Sequence, residues 1–186
     1  MLEQYRTPPE IAIEIASWIR GLGCRVAIDL GAGTGMIAYA LSLLGTYTVA
    51  IEIDIDALND AASSALRPVA LTDFVQADVE YLPLRETIQS LCVAENPPFG
   101  MYRRGIDTLF LRAAARLGAE YIASIHHGGS DKTLKYLREF MRERGYGLKH
   151  IERFKFPIPA THRSHIRHIY YVPALLLLFE KRVRET

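Results

Sequence analysis

Side-chain amides are scarce in this chain of 186 residues, which holds two asparagines, Asn59 and Asn96, and three glutamines, Gln4, Gln76 and Gln89. Such depletion of thermolabile residues is expected of a thermophile. Cysteine is equally rare: Cys24 and Cys92 sit in apolar runs without Cys-x-x-Cys spacing, which fits small buried residues in a reducing compartment and makes neither a candidate nucleophile. No apolar run is long enough to cross a bilayer, the longest being 169–179, and the opening Met-Leu-Glu-Gln-Tyr-Arg-Thr-Pro-Pro-Glu lacks a basic region followed by an apolar one. A cytoplasmic location is therefore expected. There is no repeat, low-complexity tract or linker, so residues 1–186 are expected to form a single domain. Hydrophobic residues make up 49% and charged residues 23%, enough for a soluble core and against disorder.

Charge is unevenly spread. From Arg142 to Thr186 there are ten Lys and Arg against four Asp and Glu, a net of +6, while the rest of the chain has 12 against 17, a net of −5. A basic end on an acidic protein favours an anionic partner such as nucleic acid. Lys149, Arg153, Lys155, Arg163 and Arg167, with Phe154, Phe156 and His165, cluster near Pro157 and Pro159 and could hold RNA phosphates. Arg103 and Arg104 could assist. His162, His165 and His168 recur every three residues but have no cysteine or acidic co-ligands, so no metal is expected. His126 and His127 are read as a strand-end pair near the cleft, without a catalytic role.

Apolar residues Ile11, Ile15, Trp18 and Ile19 at helical spacing follow Thr7-Pro8-Pro9, where threonine can cap and proline can begin a helix. Strands are then expected over 25–30, 48–53, 69–76, 90–95 and 121–126, alternating with helices over 36–44, 56–66, 107–117 and 132–144. Strand–helix alternation implies a parallel sheet covered on both faces. The last two strands, 148–156 and 166–179, have no helix between them and should pair antiparallel. This is the outline of an α/β class I (Rossmann-like) S-adenosylmethionine-dependent methyltransferase fold, a mostly parallel seven-stranded sheet ending in an antiparallel hairpin.

Between the first strand and first helix stands Asp29-Leu-Gly31-Ala-Gly33-Thr-Gly35. Glycines permit positive φ and close approach of a ligand to helix N-terminal amides. A dinucleotide fingerprint would need glycine at position 36, which is Met36. The Gly-x-Gly-x-Gly spacing resembles an S-adenosylmethionine loop, with Asp29 receiving the amino-acid end of the cofactor. Glu52, closing the second strand, is placed for ribose hydroxyls, and Asp78, after the third, for the adenine amino group. Asp54 and Asp56 are read as solvated loop acids, Asp56 also as a helix N-cap.

Asn96-Pro97-Pro98-Phe99 follows the fourth strand, at the carboxyl edge where α/β sheets bind ligands. An exocyclic base amine is a poor nucleophile because its lone pair is delocalised. If the Asn96 side-chain oxygen and the Pro97 carbonyl each accept one of its N–H bonds, nitrogen is drawn toward tetrahedral geometry and its developing positive charge is stabilised. Phe99 would stack on the base.

Leu2-Glu3-Gln4-Tyr5 with Thr7, Asp-Leu-Gly-Ala-Gly-Thr-Gly, Ile-Glu-Ile-Asp-Ile-Asp-Ala-Leu, Asn-Pro-Pro-Phe-Gly and Ile-Pro-Ala-Thr-His-Arg-Ser-His together resemble the archaeal and eukaryotic methyltransferase-like protein five family over nearly the whole chain. The resemblance implies methylation of an adenosine N6 in small-subunit ribosomal RNA with S-adenosylmethionine. It implies that Gln4, Tyr5 and Thr7 close over the cofactor, that Gly31, Gly33, Glu52 and Asp78 bind it, and that Asn96, Pro97, Pro98 and Phe99 form the acceptor site. It also implies a small zinc-binding activator protein as partner. The chain departs from the eukaryotic pattern at Ser164, where an aromatic residue stands, and at His162, where tyrosine stands. Other readings are a methyltransferase for another planar nitrogen (guanine N2, DNA adenine or a protein glutamine), a non-catalytic RNA-binding ribosome-assembly factor, and a nicotinamide oxidoreductase.

Overall fold

The computed structural model describes residues 5–67, 70–84, 89–99, 105–128, 130–159 and 169–182. Gln4, Arg103, Arg104, Arg163, His165 and Arg167 lie outside these residues. The described strands are β1 (Val26–Leu30), β2 (Tyr47–Glu52), β3 (Thr72–Gln76), β4 (Leu91–Glu95), β5 (Tyr121–His127), β6 (Tyr146–Pro159) and β7 (Ile169–Lys181). They form one sheet in the order β3-β2-β1-β4-β5-β7-β6. The first five are parallel, whereas β7 pairs antiparallel with both β5 and β6. This is the class I methyltransferase fold expected from the alternation of elements. Order reverses between β1 and β4, so the loops leaving Leu30 and its register partner Glu95 open a crevice.

Among the described residues the α-helices covering the sheet are α1 (Pro9–Gly21), α2 (Met36–Leu43), α3 (Ile55–Ala62), α4 (Ile106–Arg116) and α5 (Asp131–Arg142). Period-two alternation along the strands divides the core. Ala27, Cys92, Ala94, Ala123 and Ile125 pack with Ile11, Ile15 and Ile19 of α1 and Ile37 and Leu41 of α2. Ile28, Leu30, Leu91, Val93 and Ile122 face the other way, toward Phe110 and Leu111 of α4 and Leu137 and Met141 of α5. Among the described residues no helix is long and apolar enough to cross a membrane.

Three local expectations are corrected. Helix α1 begins with Pro9 in its first turn, as read, but Pro8 holds the N-cap position and Thr7 makes no cap. At α3 the cap is Asp54, whose side chain accepts from the Asp56 N–H at 3.0 Å, because the helix starts one residue earlier than expected. The two cysteines are not separate thiols: Cys24 and Cys92 form a disulfide, with Cα atoms 5.9 Å apart. Parallel pairing of Ala27 with Cys92 brings the chain just before β1 alongside β4, within the reach of a disulfide. The cysteines thus give no support to a reducing compartment. Peptide mapping without reductant is expected to recover residues 24 and 92 in one cross-linked species; two alkylated free cysteines would contradict the pairing.

Candidate active site

A cleft of about 350 Å³ opens where β1 and β4 end, within the range of small-molecule sites. It is lined by Tyr5, Arg6 and Thr7 of the N-terminal segment, by Asp29, Gly31, Ala32, Gly33 and Thr34 of the glycine loop, by Glu52 and Ile53, by Asp78 and its neighbours, by Asn96 and Pro98, and by Ile106, Leu109 and Phe110 of α4. Residues widely separated in sequence therefore converge on one space.

The glycine loop is shaped by its neighbours. Both Gly31 and Ala32 donate backbone N–H groups to the Ile51 carbonyl, at 2.8 and 2.9 Å. Gly31 adopts φ +71°, and a Cβ there would lie 2.7 Å from Phe110 Cε1. Gly33 has φ +52° and open space where its Cβ would be, so the cleft meets bare backbone there. Gly35 does not line the cleft; with φ +81° it takes the N-cap position of α2, beside Tyr39 and Ala61.

The acids divide their oxygens between loop and cleft. Asp29 is 1% exposed; Oδ2 accepts from the Ala38 N–H at 2.8 Å, while buried Oδ1 has no hydrogen-bond partner among the described residues. Burial pushes its carboxyl up to about 7, with the Glu52 charge adding to the rise and the Ala38 N–H opposing it. Glu52 accepts from Gly33 N–H through Oε2 at 2.8 Å, and from Ile53 and Asp54 N–H through Oε1 at 2.8 and 3.0 Å. Asp78 accepts from Glu80 N–H through Oδ1 at 2.9 Å, leaving Oδ2 for another donor.

Asn96 donates both hydrogens of its amide, to the Tyr5 carbonyl at 3.2 Å and to Thr7 Oγ1 at 3.0 Å. These partners fix which amide atom is oxygen, and Oδ1 has no donor among the described residues. The buried Thr7 hydroxyl is thus an anchor for Asn96. Pro97 is buried and does not line the cleft. Phe99 lies behind Asn96 in an aromatic cluster, edge-on to Phe156 at 5.2 Å and to His127 at 6.1 Å, and tilted against Tyr5 at 6.0 Å. Lys155 is exposed on β6. Among the described residues no group of three or more His, Cys, Asp or Glu could hold a metal ion.

Sequence reasoning missed Arg6, whose Nε makes a long 3.4 Å contact to Thr34 Oγ1, and Phe110, which lies against Gly31. It also missed a buried polar chain beneath Asn96. The Ser124 hydroxyl lies 2.7 Å from both Glu95 Oε1 and His126 Nε2, and His126 Nδ1 is 3.5 Å from Asp107 Oδ2. An acidic residue closing the apolar run 91–94 was the available signal.

Fold and cleft together define a class I methyltransferase. A family model described as a methyltransferase domain matches residues 28–96. The Drosophila melanogaster rRNA N6-adenosine-methyltransferase Mettl5 is 32% identical over 173 residues, covering 89% of this chain and 80% of the fly protein. The uncharacterized protein MJ0284 of Methanocaldococcus jannaschii is 28% identical over 195 residues, covering 100% of this chain and 87% of that protein. The crystal structure of PH1948 from Pyrococcus horikoshii, described as a candidate RNA methyltransferase, superposes with a TM-score of 0.84 at 28% identity, covering 98% of this chain and 89% of that one. The chain belongs to the methyltransferase family that includes Mettl5.

Proposed function

We propose that this chain, as one methyltransferase domain over 1–186, transfers a methyl group from S-adenosylmethionine to the exocyclic N6 of an adenine, in small-subunit ribosomal RNA. The observation that carries this reading is the anchored Asn96 amide: both hydrogens are spent on the N-terminal segment, so the atom left for a substrate is an acceptor. An amine bearing two hydrogens is the group such an acceptor recognises.

The residues fit the cofactor. Asp29 has an unpartnered buried oxygen suited to an ammonium group, Gly33 offers bare backbone, and the oxygens that Glu52 and Asp78 retain can receive ribose hydroxyls and an adenine amine. S-adenosylmethionine, when bound, supplies an electrophilic methyl carbon. The chain contributes orientation. Asn96 Oδ1 draws the amine nitrogen toward tetrahedral geometry and stabilises its developing charge; the Pro97 carbonyl would be a second acceptor only for an amine lying beyond the cofactor cleft, which Pro97 does not line. Tyr5 and Thr7 hold Asn96 while bordering the cofactor space. Phe99 and the rings packed around it offer a stacking wall for a flipped or single-stranded base. Lys155, with Arg103, Arg104, Arg163, His165, Arg167 and Gln4 beyond the described residues, completes the proposed RNA and cofactor contacts. A small zinc-binding activator as partner and a cytoplasmic location belong to the same proposal.

Labelled methyl transfer to deproteinised small-subunit RNA, followed by nucleoside digestion, is expected to give N6-methyladenosine. Recovery of 2-methylguanosine, or of label in protein or DNA only, would replace the acceptor. Cofactor binding without transfer, activator present, would favour an assembly factor, and binding of NAD instead an oxidoreductase.

The elevated Asp29 carboxyl gives a pH test. Below about pH 7 Asp29 is protonated in the free protein, and an ammonium group must displace that proton on binding. Calorimetric affinity for S-adenosylmethionine is therefore expected to fall by about tenfold per pH unit below that point. Asp29→Asn should bind more weakly at neutral pH, with this slope abolished; retention of the slope would assign it to another group.

A further inference from the structure

Glu95 is the last residue of β4 and Asp107 the second residue of α4. On β5, Ser124 meets Glu95 at 2.7 Å and His126 meets Asp107 at 3.5 Å, while Ser124 and His126 lie 2.7 Å from each other. Glu95 and Ser124 are 0% exposed and His126 is 1% exposed.

We propose that Glu95, Ser124, His126 and Asp107 form a proton-dependent staple, with Glu95 in its protonated form, that ties the base of the Asn96–Phe99 acceptor segment to β5 and positions Asn96 for transfer. This deepens the functional reading above and rests on it.

Burial and hydrogen-bond direction together select the protonated form, because a doubly protonated His126 would satisfy the same chain only by keeping the full negative charge on buried Glu95. The single Ser124 hydrogen serves one of its two neighbours. If Ser124 donates to an ionised Glu95 and accepts from Nε2–H of a neutral His126, Nδ1 becomes a bare acceptor facing the Asp107 carboxylate. If Glu95 is protonated, the donors run one way, Glu95 to Ser124 and Ser124 to His126 Nε2, and His126 Nδ1–H faces Asp107 across 3.5 Å, an electrostatic contact longer than a hydrogen bond. The full charge then rests on Asp107, whose side chain is 27% exposed, rather than on fully buried Glu95.

The charges around Glu95 agree. Asp29 on neighbouring β1 and Asp107 on α4 are the acids facing it, and Ser124 is its partner on β5, with His126 bonded to Ser124 in turn. Burial pushes Glu95 up to about 8, the Ser124 hydroxyl opposing and the charges of Asp107 and Asp29 adding to the rise. At Asp107 partial burial acts upward, but the His126 ring and the local backbone N–H groups outweigh it and hold the carboxyl below its ordinary range. Below about pH 8 the staple is intact. Above that, loss of the Glu95 proton reverses the Ser124 donor and loosens it.

Glu95→Gln keeps a donor for Ser124 and cannot ionise, whereas Glu95→Ala removes the link. Glu95→Ala is expected to lower kcat by about tenfold with S-adenosylmethionine affinity unchanged, and to speed amide exchange at Asn96 and Phe99 by a similar factor, about the loss of one buried hydrogen bond. Ser124→Ala should behave alike. Glu95→Gln should restore both quantities and hold kcat level above pH 8, where wild-type kcat declines. Unchanged exchange in Glu95→Ala, a Glu95→Gln protein as impaired as Glu95→Ala, or identical alkaline profiles for Glu95→Gln and wild type would overturn the staple. If the wild-type protein methylates no RNA, the proposed acceptor falls, while amide exchange in the same variants still decides the staple.

Discussion

Asn96→Ala is expected to lower kcat for methyl transfer by about 100- to 1,000-fold, the scale for removing a preorganised group that stabilises developing charge. The geometry explains why so much rests on one amide. Its nitrogen is tied at 3.2 Å to the Tyr5 carbonyl and at 3.0 Å to Thr7 Oγ1, so the oxygen is held in place without reorganisation at the moment of reaction. Asn96→Asp should fare little better, because a carboxylate oxygen would face the Tyr5 carbonyl where a donor stood. Thr7→Val removes one of the two anchors and is expected to cost about tenfold, the worth of one buried hydrogen bond. Cofactor affinity in Asn96→Ala should fall only a few-fold, through loosening of residues 5–7, which also border the cleft. Single-turnover rates and calorimetry on the same preparations separate the two effects. A cofactor affinity lost in proportion to the rate would make Asn96 a support of the cofactor pocket rather than the acceptor of the amine.

The fold was largely legible because its signals are local. Apolar runs of five to seven residues, each closed by a glycine, an acid or an Asn-Pro pair, announce parallel strands, and Ile11, Ile15 and Ile19 announce the helix that covers one face. Glu52 and Asp78 were found for a related reason: strand order in a doubly wound sheet dictates which strand ends border the crevice, and both residues line it. What stayed hidden depends on side chains meeting across long sequence separations. Thr7 reads as a cap from its neighbours, yet its hydroxyl is claimed by Asn96, 89 residues away. Cys24 and Cys92 have uninformative spacing until β1 and β4 pair. Phe99 reads as a ring to stack on a base, but its own packing edge-on to Phe156, 57 positions away, is not visible until β6 is placed. Glu95 stands out only as a charge at the end of an apolar strand; its partners Ser124 and His126 belong to a strand whose neighbour is known only once the sheet order is known.

Glu52→Ala is expected to destabilise the protein by about 3 kcal/mol and to weaken S-adenosylmethionine binding by about 100-fold, since it strips acceptors from several donors at once. In the folded protein this 7%-exposed carboxylate gathers three backbone N–H groups, those of Gly33, Ile53 and Asp54, and so ties the glycine loop to the end of β2. Each buried donor left bare costs about 1–3 kcal/mol, and opening of the loop toward water brings the total to the low end of the sum. Loss of affinity has two sources: the oxygen proposed to meet a ribose hydroxyl is gone, and Gly33 is no longer held where bare backbone borders the cleft. Glu52→Gln discriminates between them. Its single carbonyl oxygen can serve Ile53 and Asp54 or Gly33, but not both sides, because the amide nitrogen donates where an acceptor was. Glu52→Gln should therefore be intermediate in stability and close to Glu52→Ala in cofactor affinity. Thermal denaturation with and without S-adenosylmethionine reads both quantities, because a ligand bound only by the folded state raises the midpoint by an amount that grows with the logarithm of its affinity. A Glu52→Ala protein that melts early yet keeps the full ligand-induced shift would confine Glu52 to bracing the loop, leaving the ribose to Asp78 or to the backbone of the glycine turn.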